Sequence, residues 1–196
     1  MFNRRRFLQT LLAAAAPATN SSLASRFGNT GFGKLIADPR QILDLPEGFR
    51  YQIVCRKGDE MHDGLLVPGR ADGMSAFRGE NGRVILVCNH ENPPLERHYG
   101  PFGVKLERLT RIDREKIYDF GKGLTPGGGG TTTIVYDSHN QRTERQHLSL
   151  AGTELNCAGG STPWGSWLSC EECFEDSGSG FEYFQNVQRE RKHGYV

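Results

Sequence analysis

The run Gly127-Gly128-Gly129-Gly130 leads directly into Thr131-Thr132-Thr133-Ile134-Val135-Tyr136-Asp137. β-Branched and aromatic residues fill the second half of this stretch, which favours a strand. Upstream, the turn signal Glu80-Asn81-Gly82 precedes an apolar run from Val84 to Cys88. Asn-Gly supplies the positive φ angles of tight hairpins, and an unbroken apolar run predicts a strand buried on both faces. These stretches predict an all-β fold.

Further patterns along the chain extend this prediction. Phe49, Tyr51, Ile53 and Cys55 alternate with polar residues at the period of a strand. Residues 164–171 and 181–184 predict two more short strands, and apolar spacing predicts one helix over residues 104–120. Short strands separated by turns are typical of a β-propeller or a sandwich.

Composition excludes several classes of protein. The 196 residues include 24 basic and 23 acidic side chains, and this balance is too even for a nucleic-acid-binding protein. A mean hydropathy of -0.55 excludes a protein with several membrane spans. The 25 glycines and 9 prolines are many for a helical bundle.

The amino terminus has the pattern of an export signal. Arg4-Arg5-Arg6-Phe7-Leu8 precedes a short apolar run, and Pro17-Ala18 ends it without any acidic residue. Twin arginines predict export by the Tat machinery, with residues 1–18 as the signal peptide. An exposed basic tail or the start of a helix is the alternative. Residues 19–44 are predicted to be a flexible lead-in, and residues 45–196 the folded domain.

Export sets the expected location and partners. The Tat machinery would be a partner, and the mature protein would be periplasmic or extracellular with no stable membrane insertion. Cleavage of the signal peptide would remove three arginines and leave 21 basic against 23 acidic residues. A protein with this slight negative charge is not expected to bind nucleic acid or anionic lipid. The five cysteines are an odd number, so at least one thiol is left outside any set of disulfides within the chain. The lone pair Cys170 and Cys173 is best explained as structural or incidental thiols.

Polar residues directly follow the predicted strand that ends at Cys88. Asn89, His90 and Glu91 offer an amide, an imidazole and a carboxylate at a strand end, where sites are commonly built. This set suits a hard cation or a phosphoryl group. A hydrogen-bonded loop that caps the strand is an equally open alternative.

A second cluster extends from Asn156 to Glu172. Cys157 lies beside small residues and could offer a thiolate to a transition metal. Glu171 and Glu172 follow a strand with two tryptophans, and neighbouring strand residues face opposite ways, so one carboxylate is expected to point inward. A tight turn with a buried apolar cysteine is the alternative.

These residues resemble the alkaline phosphatase PhoX family. The block Asn156 to Glu172 carries most of the resemblance, which extends from about residue 40 to the last residue. The twin-arginine leader fits as well. The other matching segments are Leu45-Pro46-Glu47-Gly48-Phe49, Asp72-Gly73-Met74, Asn89-His90-Glu91, Gly129 to Thr133, Leu150-Ala151-Gly152-Thr153 and His193 to Val196.

The resemblance implies a β-propeller that hydrolyses phosphate monoesters and releases inorganic phosphate, with iron and calcium as cofactors. It implies that Cys157 is an iron ligand and that the acidic metal ligands include Glu91, Glu171 and Glu172. Asn89, His90, Asn156 and Asp72 would face the phosphate or support the metal ligands. Family members are much longer, so residues 45–196 are expected to be the first part of a propeller, which would be monomeric if complete.

Two other functions stay open at this point. The propeller could bind metal as a non-catalytic module, or it could be another calcium-dependent propeller hydrolase. A calcium-only site has no use for a soft thiolate, so the cysteine motif argues against the second alternative.

Overall fold

The computed structural model describes residues 31–173 and 189–196. The predicted signal peptide over residues 1–18, the lead-in as far as residue 30 and the predicted strand at 181–184 lie outside the described residues. The chain divides into two compact units between Gln52 and Ile53.

The described residues of the first unit carry a small two-stranded sheet. Strand β1 (Leu35–Ile36) pairs antiparallel with β2 (Leu45–Pro46). The hydroxyl of Tyr51 donates a 2.6 Å hydrogen bond to Asp38, and Phe32 packs edge-to-face on Phe49 at 5.3 Å between ring centroids. Part of the predicted lead-in therefore takes part in a short strand pair.

The second unit is built on a four-stranded antiparallel meander. Its strands β3 (Ala71–Arg78), β4 (Arg83–His90), β5 (Gly129–Asp137) and β6 (Arg142–Thr153) lie side by side in chain order. Strands β7 (Asn156–Ser161) and β8 (Trp167–Glu171) form a further antiparallel pair. A four-stranded meander is the blade of a propeller. The all-β prediction is confirmed, and the described sheets form an open, incomplete propeller.

The predicted hairpin between β3 and β4 is confirmed. Asn81 and Gly82 have φ angles of 51° and 77°, which bring the chain back in a tight turn. Strand β4 then pairs with β5 without interruption from Arg83 opposite Asp137 to His90 opposite Gly130. Val84 to Val87 are half-buried, and burial on this strand becomes complete only from Cys88 to His90.

The predicted helix over residues 104–120 is wrong. This insertion between β4 and β5 is a loop with short 3-10 turns at Leu109–Arg111 and Arg114–Lys116. Leu106 has a φ of 58°, which no α-helix accommodates. The apolar spacing has another origin, since Leu106, Leu109, Ile112 and Phe120 pack against the core. The connection between β4 and β5 therefore contains short 3-10 turns in place of the predicted helix. Two further 3-10 turns in this connection are Arg97–Tyr99 and Gly121–Gly123.

The strand predicted from the alternation of Phe49 to Cys55 is also wrong. In the described part of the chain, no strand pairs with these residues. Their apolar side chains have separate partners instead, since Phe49 packs on Phe32 and Cys55 packs against the core of the second unit. An alternation of apolar and polar residues forms a β-strand only when a neighbouring strand is available for backbone hydrogen bonds.

The core of the second unit lies where the insertion meets β6. Tyr118 N–H donates to the Ala151 carbonyl at 2.8 Å, which joins the two segments. The buried members of this core are Met61, Leu65, Val67, Phe102, Ile117, Leu148 and Ala151. Among the described residues, no helix has the length and apolar character needed to cross a membrane.

Candidate functional site

Asn89 joins the blade to the β7–β8 pair. Its side chain is fully buried, and its amide nitrogen donates to the carbonyls of Cys157 and Ala158 at 3.0 and 2.8 Å. Its amide oxygen accepts hydrogen bonds from Trp167 Nε1 and Ser169 Oγ, both at 2.9 Å. Two donors and two acceptor positions are thereby occupied, which is the full capacity of an asparagine side chain. Asn89 therefore fixes the position of β7 relative to β4.

His90 points to the opposite face of β4. Its ring nitrogens lie 2.9 Å from the Gly69 carbonyl and 2.9 Å from Thr132 Oγ1, and the residue lines an apolar cavity of about 310 Å³. Burial lowers the pKa of His90, so the imidazole is neutral near pH 7. The structure thus places two of the predicted catalytic residues, Asn89 and His90, on different faces of the sheet.

A bulge in β3 brings the strand against β7. The register with β4 shifts between Ala71 and Met74, which leaves Asp72 and Gly73 within the irregular segment. A Cβ atom on Gly73 would lie inside van der Waals contact with the Cys157 carbonyl oxygen. The absence of a side chain at this position therefore allows β3 and β7 to approach each other closely.

Three carboxyl groups influence one another beside this bulge, with Asp72 and Glu172 exposed and Glu91 half-buried. Glu91 follows the end of β4, Glu172 follows the end of β8, and Asp72 accepts a hydrogen bond from Glu91 when Glu91 is protonated. Burial raises the pKa of Glu91, and the charges of Asp72 and Glu172 raise it further, while Arg70 opposes the shift. Neighbouring negative charges favour the protonated form of Glu91 or the binding of a cation.

Cys157 adds a thiol to the three carboxyl groups. It is half-buried, and burial raises its pKa, with further increases from Glu172, which also accepts a side-chain hydrogen bond, and from Glu91. We call Asp72, Glu91, Cys157 and Glu172 the acidic-thiol cluster. Four separate segments supply one residue each, so the fold and not local sequence creates this group.

Glu171 faces away from the acidic-thiol cluster. Its Oε1 accepts a hydrogen bond from the Glu154 N–H at 2.8 Å and lies 2.8 Å from His193 Nδ1, while Oε2 accepts from the Gly194 N–H at 2.8 Å. The expectation that the adjacent glutamates face opposite ways is met, because Glu172 reaches Cys157. The structure thus separates Glu171 from the other predicted metal ligands.

His193 lies at the centre of a buried polar network. Its Nε2 is 3.1 Å from Asp119 Oδ2, and that carboxylate also accepts the N–H groups of Glu190 and Arg191. Burial opposes protonation of the imidazole, but hydrogen bonds to Cys173 and Glu171 and nearby carboxylate charge outweigh it and raise the pKa of His193 to about 10. Sequence reasoning did not single out Asp119, Glu154, His193 or Arg189 as site residues.

Asn156, the third predicted catalytic residue, is fully buried at the start of β7. Its Oδ1 accepts a 2.6 Å hydrogen bond from Thr153 Oγ1, and its Nδ2 donates to Ser169 Oγ at 2.9 Å. The side chain thus holds the β6–β7 turn to β8. All five cysteines are free thiols, so Cys170 and Cys173 form no disulfide.

Comparison with known proteins gives one family. The model of the family described as alkaline phosphatase PhoX matches residues 30–196. Neither the curated proteins nor the solved structures provide a match.

Proposed function

Because the chain belongs to the alkaline phosphatase PhoX family, we propose that the protein is an exported, metal-dependent phosphomonoesterase that releases inorganic phosphate. One observation carries the proposal. The acidic-thiol cluster assembles from Asp72 in β3, Glu91 after β4, Cys157 in β7 and Glu172 after β8. Carboxylate and thiol groups that lie near enough to shift one another's pKa are suited to binding cations.

The donor types of the acidic-thiol cluster fit the metals that the family resemblance implies. Carboxylate oxygens of Asp72, Glu91 and Glu172 are hard ligands suited to calcium, and the Cys157 sulfur is a soft ligand suited to iron. Such ions would neutralise the charge of a bound phosphate monoester and make its phosphorus accessible to attack. Residues Glu91, Glu172 and Cys157 would hold the ions, with Asp72 beside them.

Two of the other predicted site residues, Asn89 and Asn156, hold the strand that carries Cys157 in place. Asn89 holds the backbone of Cys157 and Ala158, so it sets where the thiol stands relative to β4. Asn156 fixes β7 to β8 and thus sets the distance between Cys157 and Glu172. We assign both amides a positioning role. His90, neutral and on the other face, would hold Thr132 and Gly69 in place.

The experiment is hydrolysis of a chromogenic aryl phosphate by the purified protein. Phosphate release should stop after treatment with a calcium chelator and in the Cys157→Ala variant. Cys170→Ala is the matched control, because Cys170 is half-buried on the neighbouring strand and touches Cys157 only through its backbone carbonyl. Unchanged rates in Cys157→Ala, or in the presence of chelator, would overturn the proposal.

A metal-binding module without turnover is the second candidate. Arg70, the cation whose charge reaches Glu91, is ion-paired with Glu96 at 2.7 Å and stacks on Tyr99. An arginine committed to these contacts is a poor phosphate ligand. Bound iron and calcium without phosphate release from any aryl monoester would favour this candidate over the phosphatase.

The location follows the same proposal. The Tat machinery would export the protein to the periplasm or beyond, and the mature protein would act as a monomer that contacts neither nucleic acid nor membrane. Fusing residues 1–30 to a reporter that is active only after export tests this. Export that survives replacement of Arg4 to Arg6 by lysine would contradict the Tat route.

A further inference from the structure

A second group of ligand-type side chains lies in the interior of the second unit. One ligand atom each from Glu154, Cys173 and His193 lies within 4.8 Å of the others, and all three residues are buried. We propose that these residues form a binding site for a divalent transition-metal ion of the zinc class, separate from the acidic-thiol cluster.

The donor set selects the class of ion. Thiolate sulfur, imidazole nitrogen and carboxylate oxygen are the three ligand types that zinc uses in proteins. Calcium and magnesium prefer oxygen ligands alone, so a set with one sulfur and one nitrogen disfavours them. The site therefore differs in chemistry from a calcium centre.

The surroundings of His193 resemble the second shell of a metal ligand. A ligating histidine commonly donates its other ring N–H to a carboxylate, which fixes the ring. His193 has two such carboxylates, Glu171 at 2.8 Å and Asp119 at 3.1 Å. On binding, one ring nitrogen would exchange its carboxylate for the ion, and the other would keep its hydrogen bond.

The charge of the surroundings favours a cation. The side chains of Asp119, Glu154 and Glu171 are each at most 5% exposed, and among the described residues the Arg189 guanidinium donates to both oxygens of Glu154. The ring of Tyr118 packs edge-on against His193 at 5.3 Å and adds no charge while its phenol is protonated. With a pKa of about 10, His193 is itself a cation here, so the three carboxylates outnumber Arg189 and the imidazolium by one charge. A divalent ion would take the place of the imidazolium proton, which must leave before the ring can bind metal.

The two sites lie on opposite sides of the end of β8. Glu171 points to His193, and its neighbour Glu172 interacts with Cys157. Cys157 and Cys173 are therefore the thiols of two different groups. This separation makes the proposal independent of the phosphatase activity and allows it to be tested without any substrate.

The test is a cobalt titration of metal-free protein, because a cobalt–thiolate bond gives an intense near-ultraviolet charge-transfer band. Cys157→Ser serves as the background, because it removes the thiol of the acidic-thiol cluster, and the comparison with Cys173→Ser separates the second site from the other free cysteines. The band should appear on adding Co²⁺ and should disappear when Cys173→Ser is added to the background. A band that survives Cys173→Ser, or no band at all in the background, would overturn the proposal.

Equilibrium dialysis with Zn²⁺ provides the second measurement in otherwise wild-type protein. Cys173→Ser should weaken zinc binding by at least about 10-fold, whereas the control Cys170→Ser should bind as tightly as wild type. Serine keeps the size of the side chain, and a circular dichroism spectrum checks that the β fold is retained. Equal zinc binding by the two variants would contradict the proposed site.

Discussion

At the scale of single residues, we expect replacement of the Asn89 side chain to lower the free energy of unfolding substantially. Asn89→Ala would leave the Trp167 and Ser169 donors and the Cys157 and Ala158 carbonyls without their partner. Asn89 is fully buried, but its four partners are half-buried or exposed and can regain water, so we expect a loss of about 1–3 kcal/mol in the free energy of unfolding. Urea unfolding followed by tryptophan fluorescence measures it.

Asn92 offers the matched control for this variant. It is as deeply buried as Asn89, but its Nδ2 donates to one carbonyl, of Tyr99, and its Oδ1 has no partner among the described residues. Asn92→Ala should therefore destabilise the protein less than Asn89→Ala. The reverse order would refute the claim that Asn89 fastens β7 to the blade.

Residue-scale prediction from the sequence succeeds where strand ends are recognisable. The positions of Glu91, Cys157 and Glu172 next to predicted strands, and their resemblance to a family motif, predict them as metal ligands, and in the structure their charges influence one another. The segment His193 to Val196 also resembles the family, but nothing in the sequence links His193 to Asp119, Glu154 or Arg189. His193 and Asp119 are 74 residues apart, and Arg189 and Glu154 are 35 apart, so only tertiary folding brings each pair together.

At the scale of elements, the bulge of β3 controls how closely the blade approaches β7. Gly73→Ala would place a methyl group against the Cys157 carbonyl, and backbone must move to relieve the overlap. Overpacking of this kind costs about 1–3 kcal/mol. Thermal unfolding should show a lower midpoint, and metal binding by the acidic-thiol cluster should weaken.

Gly160, also in β7, is the matched control for Gly73. A Cβ atom there meets nothing within 4 Å, so Gly160→Ala should leave the unfolding midpoint and metal binding close to those of wild type. Equal effects of the two alanines would show that close approach of β3 and β7 is not what Gly73 provides.

The turn between β5 and β6 gives the protein a pH dependence in acid. The Asn140 side chain, followed by the backbone N–H groups of Asn140 and His139, holds the pKa of Asp137 at about 2, below its ordinary value of 3.8. A depressed carboxyl pKa contributes stability above about pH 4, and this contribution is lost as the pH falls through about 2.

Asp137→Ala should therefore lower stability at pH 7 and make stability less dependent on pH between 4 and 2. Urea midpoints at a series of pH values measure both effects. Glu144→Ala is a suitable control because it removes a carboxylate of the same hairpin that pairs with Arg83 and not with the turn. Parallel pH profiles of wild type and Asp137→Ala would contradict this account of the turn.

Element-scale prediction fails where local pattern is the only guide. The Thr131–Asp137 and Val84–Cys88 segments became strands because each has neighbours on both sides of the meander. The alternating Phe49 to Cys55 segment has the right period but no pairing partner among the described strands. Residues 104–120 have apolar side chains near helical spacing, yet they are held by packing against the core.

At the scale of the whole molecule, a blade and the start of another sheet bring two ligand groups to the two sides of β8. The all-β architecture could be predicted from turn chemistry and strand composition. The separation of the two cysteine sites could not, because it depends on which face each glutamate takes at the end of β8. We propose Cys157, and not Cys173, as the iron ligand.

The most direct test is the iron and calcium content of purified protein, measured by elemental analysis for wild type, Cys157→Ser and Cys173→Ser. We predict iron and calcium in wild type, loss of iron in Cys157→Ser, and iron retained in Cys173→Ser. Wild-type protein without iron, or Cys157→Ser with an iron content equal to that of wild type, would contradict the central claim.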